Sequence, residues 1–78
     1  MRNDDWKDRL VEEYKQLKER YNNLNRCTVK REVERFFVTI TPEEEYRDQL
    51  MRKQQDIMGE YLHILELRMT NEGIEYED

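Results

Sequence analysis

An all-α fold is predicted: a helical hairpin of two long antiparallel helices, joined by a short helical or extended connector and assembling as a homo-oligomer. Three observations lead there. Two Gly and one Pro in 78 residues are too few turn-formers for a sandwich or a loop-rich scaffold. Apolar residues recur at spacings of three and four over two long stretches, the period of a helix with one buried face. With 36% hydrophobic against 42% charged residues, a chain this short forms one small domain whose core alone supplies little stability. Extra burial is expected from self-association.

The first helix is expected over residues 5–25. Asp4 or Asp5 can cap it, and Trp6, Leu10, Tyr14, Leu17, Tyr21 and Leu24 form one stripe. Lys7, Asp8, Arg9, Glu12, Glu13, Lys15, Lys18 and Glu19 occupy the outer face, and Asn22, Asn23 and Asn25 weaken the helix towards its end. Residues 26–41 form the connector. Val29 and Val33 suit a short helical face, Phe37-Val38-Thr39-Ile40 favours extended backbone, and Phe36, Phe37, Val38 and Ile40 are expected to cover one end of the core.

Thr41-Pro42-Glu43-Glu44 is a capping box with Pro in the first helical position. The second long helix starts there and runs to about Thr70, with Asn71 and Gly73 as stop signals. At that length it outruns the first helix, so the two would not cover each other completely. It also carries surplus apolar surface. Leu50, Ile57 and Ile64 make one seven-residue row, Met51, Met58 and Leu65 the next, and Tyr61, Leu62 and Met69 widen it. One flank can pack within the chain and the other on a second copy. Gly59 in mid-helix marks a close helix crossing.

Composition excludes several functions. Cys27 is the one cysteine, so no internal disulfide or Cys-rich metal knuckle forms. No apolar run nears the ~20 residues of a membrane span, and the start Met1-Arg2-Asn3-Asp4-Asp5 lacks the apolar stretch of a secretory signal. The chain reads as soluble and intracellular. Residues 42–78 carry four basic and eleven acidic groups, and both preceding segments, 1–27 and 28–41, are at +1, which accounts for the net −5. With no basic stripe, duplex DNA or RNA is disfavoured, although a small anion is not.

Candidate chemistry is sparse. Glu60 and His63 stand one turn apart, half the ligand set of a dimetal carboxylate bundle that a symmetric copy could complete; an ordinary surface histidine fits the same residues. Serine is absent and Cys27 has no local partner set, so no enzyme and no cofactor are expected. Trp6, Tyr14, Tyr21, Tyr46 and Tyr61 can stack on bases, or simply build a core.

The second helix has a more specific pattern. Leu50, Gln54, Met58, Tyr61, Ile64, Leu65, Arg68 and Met69 match L-x-x-Q-x-x-x-M-x-x-Y-x-x-I-L-x-x-R-[IM], with the Leu-to-Gln spacing one residue longer. The opening Trp6 to Glu13, continued through Leu17 to Leu24, is similar to an aromatic followed by Q-R-[LV]-x-x-E and a later K-L. In these motifs the chain resembles the small helical-hairpin sponges by which phages counter CBASS and Thoeris immunity, a family that includes crAss-like phage related proteins. Asn25-Arg26-Cys27-Thr28 departs from the Phe-Ile pair frequent there.

The resemblance implies a phage immune-evasion protein in the cytoplasm of an infected bacterial cell. It implies a homo-oligomer, commonly a hexamer, that sequesters cyclic di- or trinucleotide messengers, or cyclic ADP-ribose isomers, between subunits without cleaving them. Arg68 matches the family's terminal Arg, with Thr70 just beyond it. Trp6 and Tyr14 are the stacking candidates, and Arg9, Lys18 and Arg26 the phosphate candidates. A helical protein-binding module using the Met51, Met58, Leu65 and Met69 face is the alternative.

Overall fold

The computed structural model describes residues 5–76, in which two α-helices, α1 (Asp5–Glu34) and α2 (Pro42–Asn71), pack as an antiparallel hairpin. At 30 residues each both helices are about 45 Å long, and the molecule is a rod of 58 × 19 × 18 Å. Cross-helix pairs fix the alignment. Tyr14 meets Glu66, Asn25 meets Gln55, Arg31 meets Asp48 and Arg35 meets Glu45, so each step along α1 matches an equal step back along α2.

α1 runs nine residues past Asn25, and the connector shrinks to residues 35–41. The expected boundaries, 5–25 for the helix and 26–41 for the connector, placed the break too early. An Asn costs only a few tenths of a kcal/mol against a better helix former, and here tertiary contacts outweigh it. Gln55 donates to Asn25 Oδ1 at 2.6 Å, the Thr28 hydroxyl donates to the Leu24 carbonyl at 3.0 Å, and Arg31 reaches Asp48. The helices are equal in length, so α2 does not outrun α1 as expected, but the register of the cross-helix pairs still leaves about one turn of each helix beyond the end of the other.

Sequence signals at both ends of α2 read true. The Thr41 hydroxyl accepts the Glu44 N–H at 3.1 Å and the Glu44 carboxylate accepts the Thr41 N–H at 3.1 Å, closing the capping box. At the far end Gly73 adopts φ +70°, a conformation that Gly enters without a Cβ clash. The Ile74 N–H then reaches the Met69 carbonyl at 2.8 Å and the Gly73 N–H the Thr70 carbonyl at 3.1 Å, the Schellman pattern. Asp4, one of the two proposed caps of α1, lies outside the described residues.

The apolar core occupies the half of the rod nearest the chain termini. Leu10, Tyr14 and Leu17 interlock with Leu62, Leu65 and Met69, and Val11, Tyr21, Met58, Ile74 and Tyr76 pack around them. Trp6, at the outer end of the predicted stripe, stays 40% exposed. The other half of the rod is held by charge. Asp48 is only 4% exposed and accepts from Arg31 Nε at 3.0 Å, Arg31 Nη2 at 3.2 Å and Arg35 Nη1 at 3.1 Å. Because ion pairs close this end, Phe36 and Phe37 have no core to cover: both are more than 80% exposed, and Val38 is exposed beside them.

Gly59 does lie at a close approach, but inside the hairpin. A Cβ built there would meet Tyr21 Cε1 at 3.4 Å, ordinary van der Waals contact. Gly59→Ala is therefore expected to stabilise the fold by up to about 1 kcal/mol through helix propensity. Thr41→Ala, which removes the α2 cap, is expected to cost about 1 kcal/mol. Urea denaturation followed by circular dichroism measures both.

Candidate functional site

Two packed helices leave no interior cleft, so the candidate site is on an outer face. A groove of about 420 Å³ runs along α1, lined by Tyr14, Lys15, Lys18, Glu19, Asn22, Asn23 and Arg26. All seven belong to one helix, placed on one side by spacings of three and four. Lys15, Lys18 and Arg26 are the cations that line this groove and Glu19 its carboxylate, in a chain whose net charge is −5. Asn22 and Asn23 add amides that both donate and accept.

Of the residues singled out from sequence, Tyr14, Lys18 and Arg26 come together here. Tyr14 is a floor and not a stacking platform. It is fully buried, its ring edge-on to Tyr76 at 5.1 Å between centroids, and its hydroxyl donates to Glu66 at 3.0 Å. Burial of both ring faces corrects the expectation that it stacks on a base. The Lys18 ammonium donates to the Tyr14 hydroxyl at 3.3 Å and lies 5.6 Å from the ring centroid, so the core orients this cation. Arg26 donates to the Asn23 side-chain oxygen.

The other four candidates lie at the terminal end of the rod. Trp6 carries the Lys7 ammonium 5.6 Å from its ring centroid. By the helix register Trp6 stands level with Gly73, and Arg9 with Thr70. Arg9, Arg68 and Thr70 are all exposed. The structure thus divides the predicted set into a mid-α1 group and a terminal group.

Sequence reasoning did not assign Lys15, Asn22 and Asn23 to a site: it read Lys15 only as part of the charged outer face and the two Asn only as helix-weakening. The spacing Lys15, Lys18, Asn22, Arg26 was the available signal, since steps of three, four and four make one polar stripe. It also missed the charged cluster at the turn. There the Asp48 carboxyl is held below its usual range by its hydrogen bond from Arg31, and that of Glu45 by its hydrogen bond from Arg35. The Thr41 backbone N–H does the same for Glu44. Arg31 and Arg35 are pushed up by Asp48 and Glu45 respectively. This network is saturated, with Glu34 and Glu44 also within 4 Å of Arg31, so it offers no spare cation to a ligand.

The protein-binding alternative loses its geometry. The Met51, Met58, Leu65 and Met69 face is spent inside the hairpin, with Leu65 and Met69 fully buried and Met51 and Met58 half-buried. The exposed row is its neighbour, Leu50, Ile57 and Ile64. Glu60 and His63 are exposed, and His63 Nδ1 lies 3.9 Å from Glu66. Among the described residues no three His, Cys, Asp or Glu side chains converge on a metal position. Nor is any helix among them long and apolar enough to cross a membrane.

The family model Sequestin matches residues 4–71, which takes in both helices and the turn. The chain belongs to the Sequestin family. That name denotes sequestration and leaves the captured molecule open. In this Sequestin chain the groove on α1 supplies contacts that can hold a small anion. No curated protein and no solved structure matches the chain.

The charged cluster sets an acid limit on the fold. A carboxyl whose folded pKa is depressed stabilises the fold above its unfolded pKa, and the contribution fades as pH falls through the folded value. Asp48, Glu44 and Glu45 all shift in this direction. The melting temperature is therefore expected to hold near neutrality and drop progressively below about pH 4, the unfolded carboxyl range. Asp48→Asn should lower the neutral-pH plateau and flatten that acid limb, as read by thermal melts across pH.

Proposed function

We propose that this Sequestin chain is a phage-encoded sponge for an immune second messenger, acting in the cytoplasm of the infected bacterial cell. It binds a cyclic di- or trinucleotide, or a cyclic ADP-ribose isomer, and does not cleave it. The observation that carries this reading is the cationic, amide-rich groove on α1 in a chain of a family named for sequestration. A cyclic dinucleotide presents two phosphates and two bases. Lys15, Lys18 and Arg26 answer the phosphates, with the Arg guanidinium suited to bidentate contact. Asn22 and Asn23 answer base edges.

One helix walls only one side of the groove, so a second copy of the chain, within a hexamer in the favoured form, supplies the other wall. In that setting the terminal group completes the ligand shell. Trp6 is the exposed aromatic for stacking, and Arg9, Arg68 and Thr70 are the polar contacts. Sequestration then follows from mass action. A binder present in excess, with a dissociation constant below that of the messenger's receptor, lowers the free messenger without any chemical step.

Thermal-shift measurements against cyclic di- and trinucleotides and cyclic ADP-ribose isomers test this. At one hundred times the dissociation constant, linkage adds about 2.7 kcal/mol, on the order of 10 °C for a chain of this size. Arg26→Ala and Arg68→Ala are each expected to weaken binding about tenfold or more with helix content unchanged. No shift with any messenger from a folded protein would overturn the reading and favour a protein-binding role.

A further inference from the structure

The face of α2 turned away from α1 is apolar, periodic and uncovered. Tyr46, Leu50, Ile57 and Ile64 are between 50% and 63% exposed, at steps of four, seven and seven along the helix. Such a row on a regular helix is a straight seam fit for another helix. Its charges are arranged about its middle. Lys53 lies one turn before Ile57 and Glu60 one turn after, both exposed. Among the described residues Lys53 and Glu60 make no ion pair or side-chain hydrogen bond.

We propose that this seam is a self-complementary interface on which α2 of a second copy packs antiparallel, with the two-fold axis passing near Ile57. The orientation follows from charge. Parallel packing in register sets Lys53 beside Lys53 and Glu60 beside Glu60 of the other copy, and like charges at an interface are costly. Turning one helix over about Ile57 sets Lys53 beside Glu60 twice and Leu50 beside Ile64 twice. Each contact made by one copy is returned by the other, as an isologous interface requires. The antiparallel arrangement also opposes the two helix dipoles. The cationic groove belongs to α1, so the seam joins two hairpins while leaving that groove to ligand or to further copies.

This inference deepens the oligomer part of the sponge reading and rests on it, but its test contains no ligand, so failure of the seam and failure of the messenger are separate results. Sedimentation equilibrium of the purified protein gives the mass, and circular dichroism checks that each variant stays helical. The wild type is expected to self-associate. Lys53→Glu is expected to raise the dissociation constant of the assembly about tenfold or more, and the double variant Lys53→Glu with Glu60→Lys to bring it back towards wild type, because the pair is re-formed with its signs exchanged. Ile57→Glu sets a carboxylate on the two-fold axis against its own copy and is expected to lower the mass, whereas Val33→Glu, at an equally exposed apolar site on α1, is expected to leave it unchanged. A monomeric wild type overturns the proposal. So does Lys53→Glu without effect, a double variant that fails to recover, or a mass that responds to Val33→Glu and not to Ile57→Glu.

Discussion

Asp48 is the point on which the hairpin is registered. One carboxylate from the second turn of α2, nearly removed from solvent, accepts three hydrogen bonds from two guanidiniums, Arg31 in the last turn of α1 and Arg35 just past its end. A helix pair held by leucines alone can slide or roll at modest cost, because apolar contacts are non-directional. A buried carboxylate cannot leave its donors without losing both charge compensation and hydrogen bonds. That fixed point aligns Leu10, Tyr14 and Leu17 with Leu62, Leu65 and Met69 at the other end of the rod, and it draws α1 onward past its asparagines.

The same arrangement dictates where a ligand can be held. Helices in contact lie 8–10 Å apart, so their shared face is filled by side chains and has no room for a nucleotide. Binding surfaces of such a molecule are its flanks, and a flank becomes a pocket only when something stands opposite. The α1 groove and the uncovered α2 seam lie on different helices. Assembly through one helix, as proposed, would leave the other presented. A captor needs no reactive group for this, only fixed donors at a suitable spacing. Lys18 is fixed in this sense, because its ammonium rests on the buried Tyr14.

Periodicity made the architecture legible. The stripe from Leu10 to Leu24 and the paired rows of α2 identified two helices and the faces they share, and Thr41, Pro42, Glu44 and Gly73 marked the ends of α2 because caps and stops act within a few residues. The end of α1 was not legible, since it depends on Asp48 and Gln55, partners far along the chain. For the same reason the aromatic tip was misread: Phe36 and Phe37 look like core until the ion pairs that displace them are known. At the groove, charge type was readable at Lys18 and Arg26, but only packing reveals that Tyr14 hides both ring faces and that Asn22 and Asn23 line the wall.

The tail beyond α2 changes what counts as the folding unit. The family match ends at residue 71, while Ile74 and Tyr76 lie on the core, the Tyr76 ring against Tyr14. Tyr14 is the residue on which Lys18 leans. The reversal at Gly73 thus connects the last turn of the chain to the orientation of a groove cation on the opposite helix. A boundary drawn where sequence similarity stops would cut through a physical unit, uncovering one side of an aromatic pair and loosening a charge located more than fifty residues upstream.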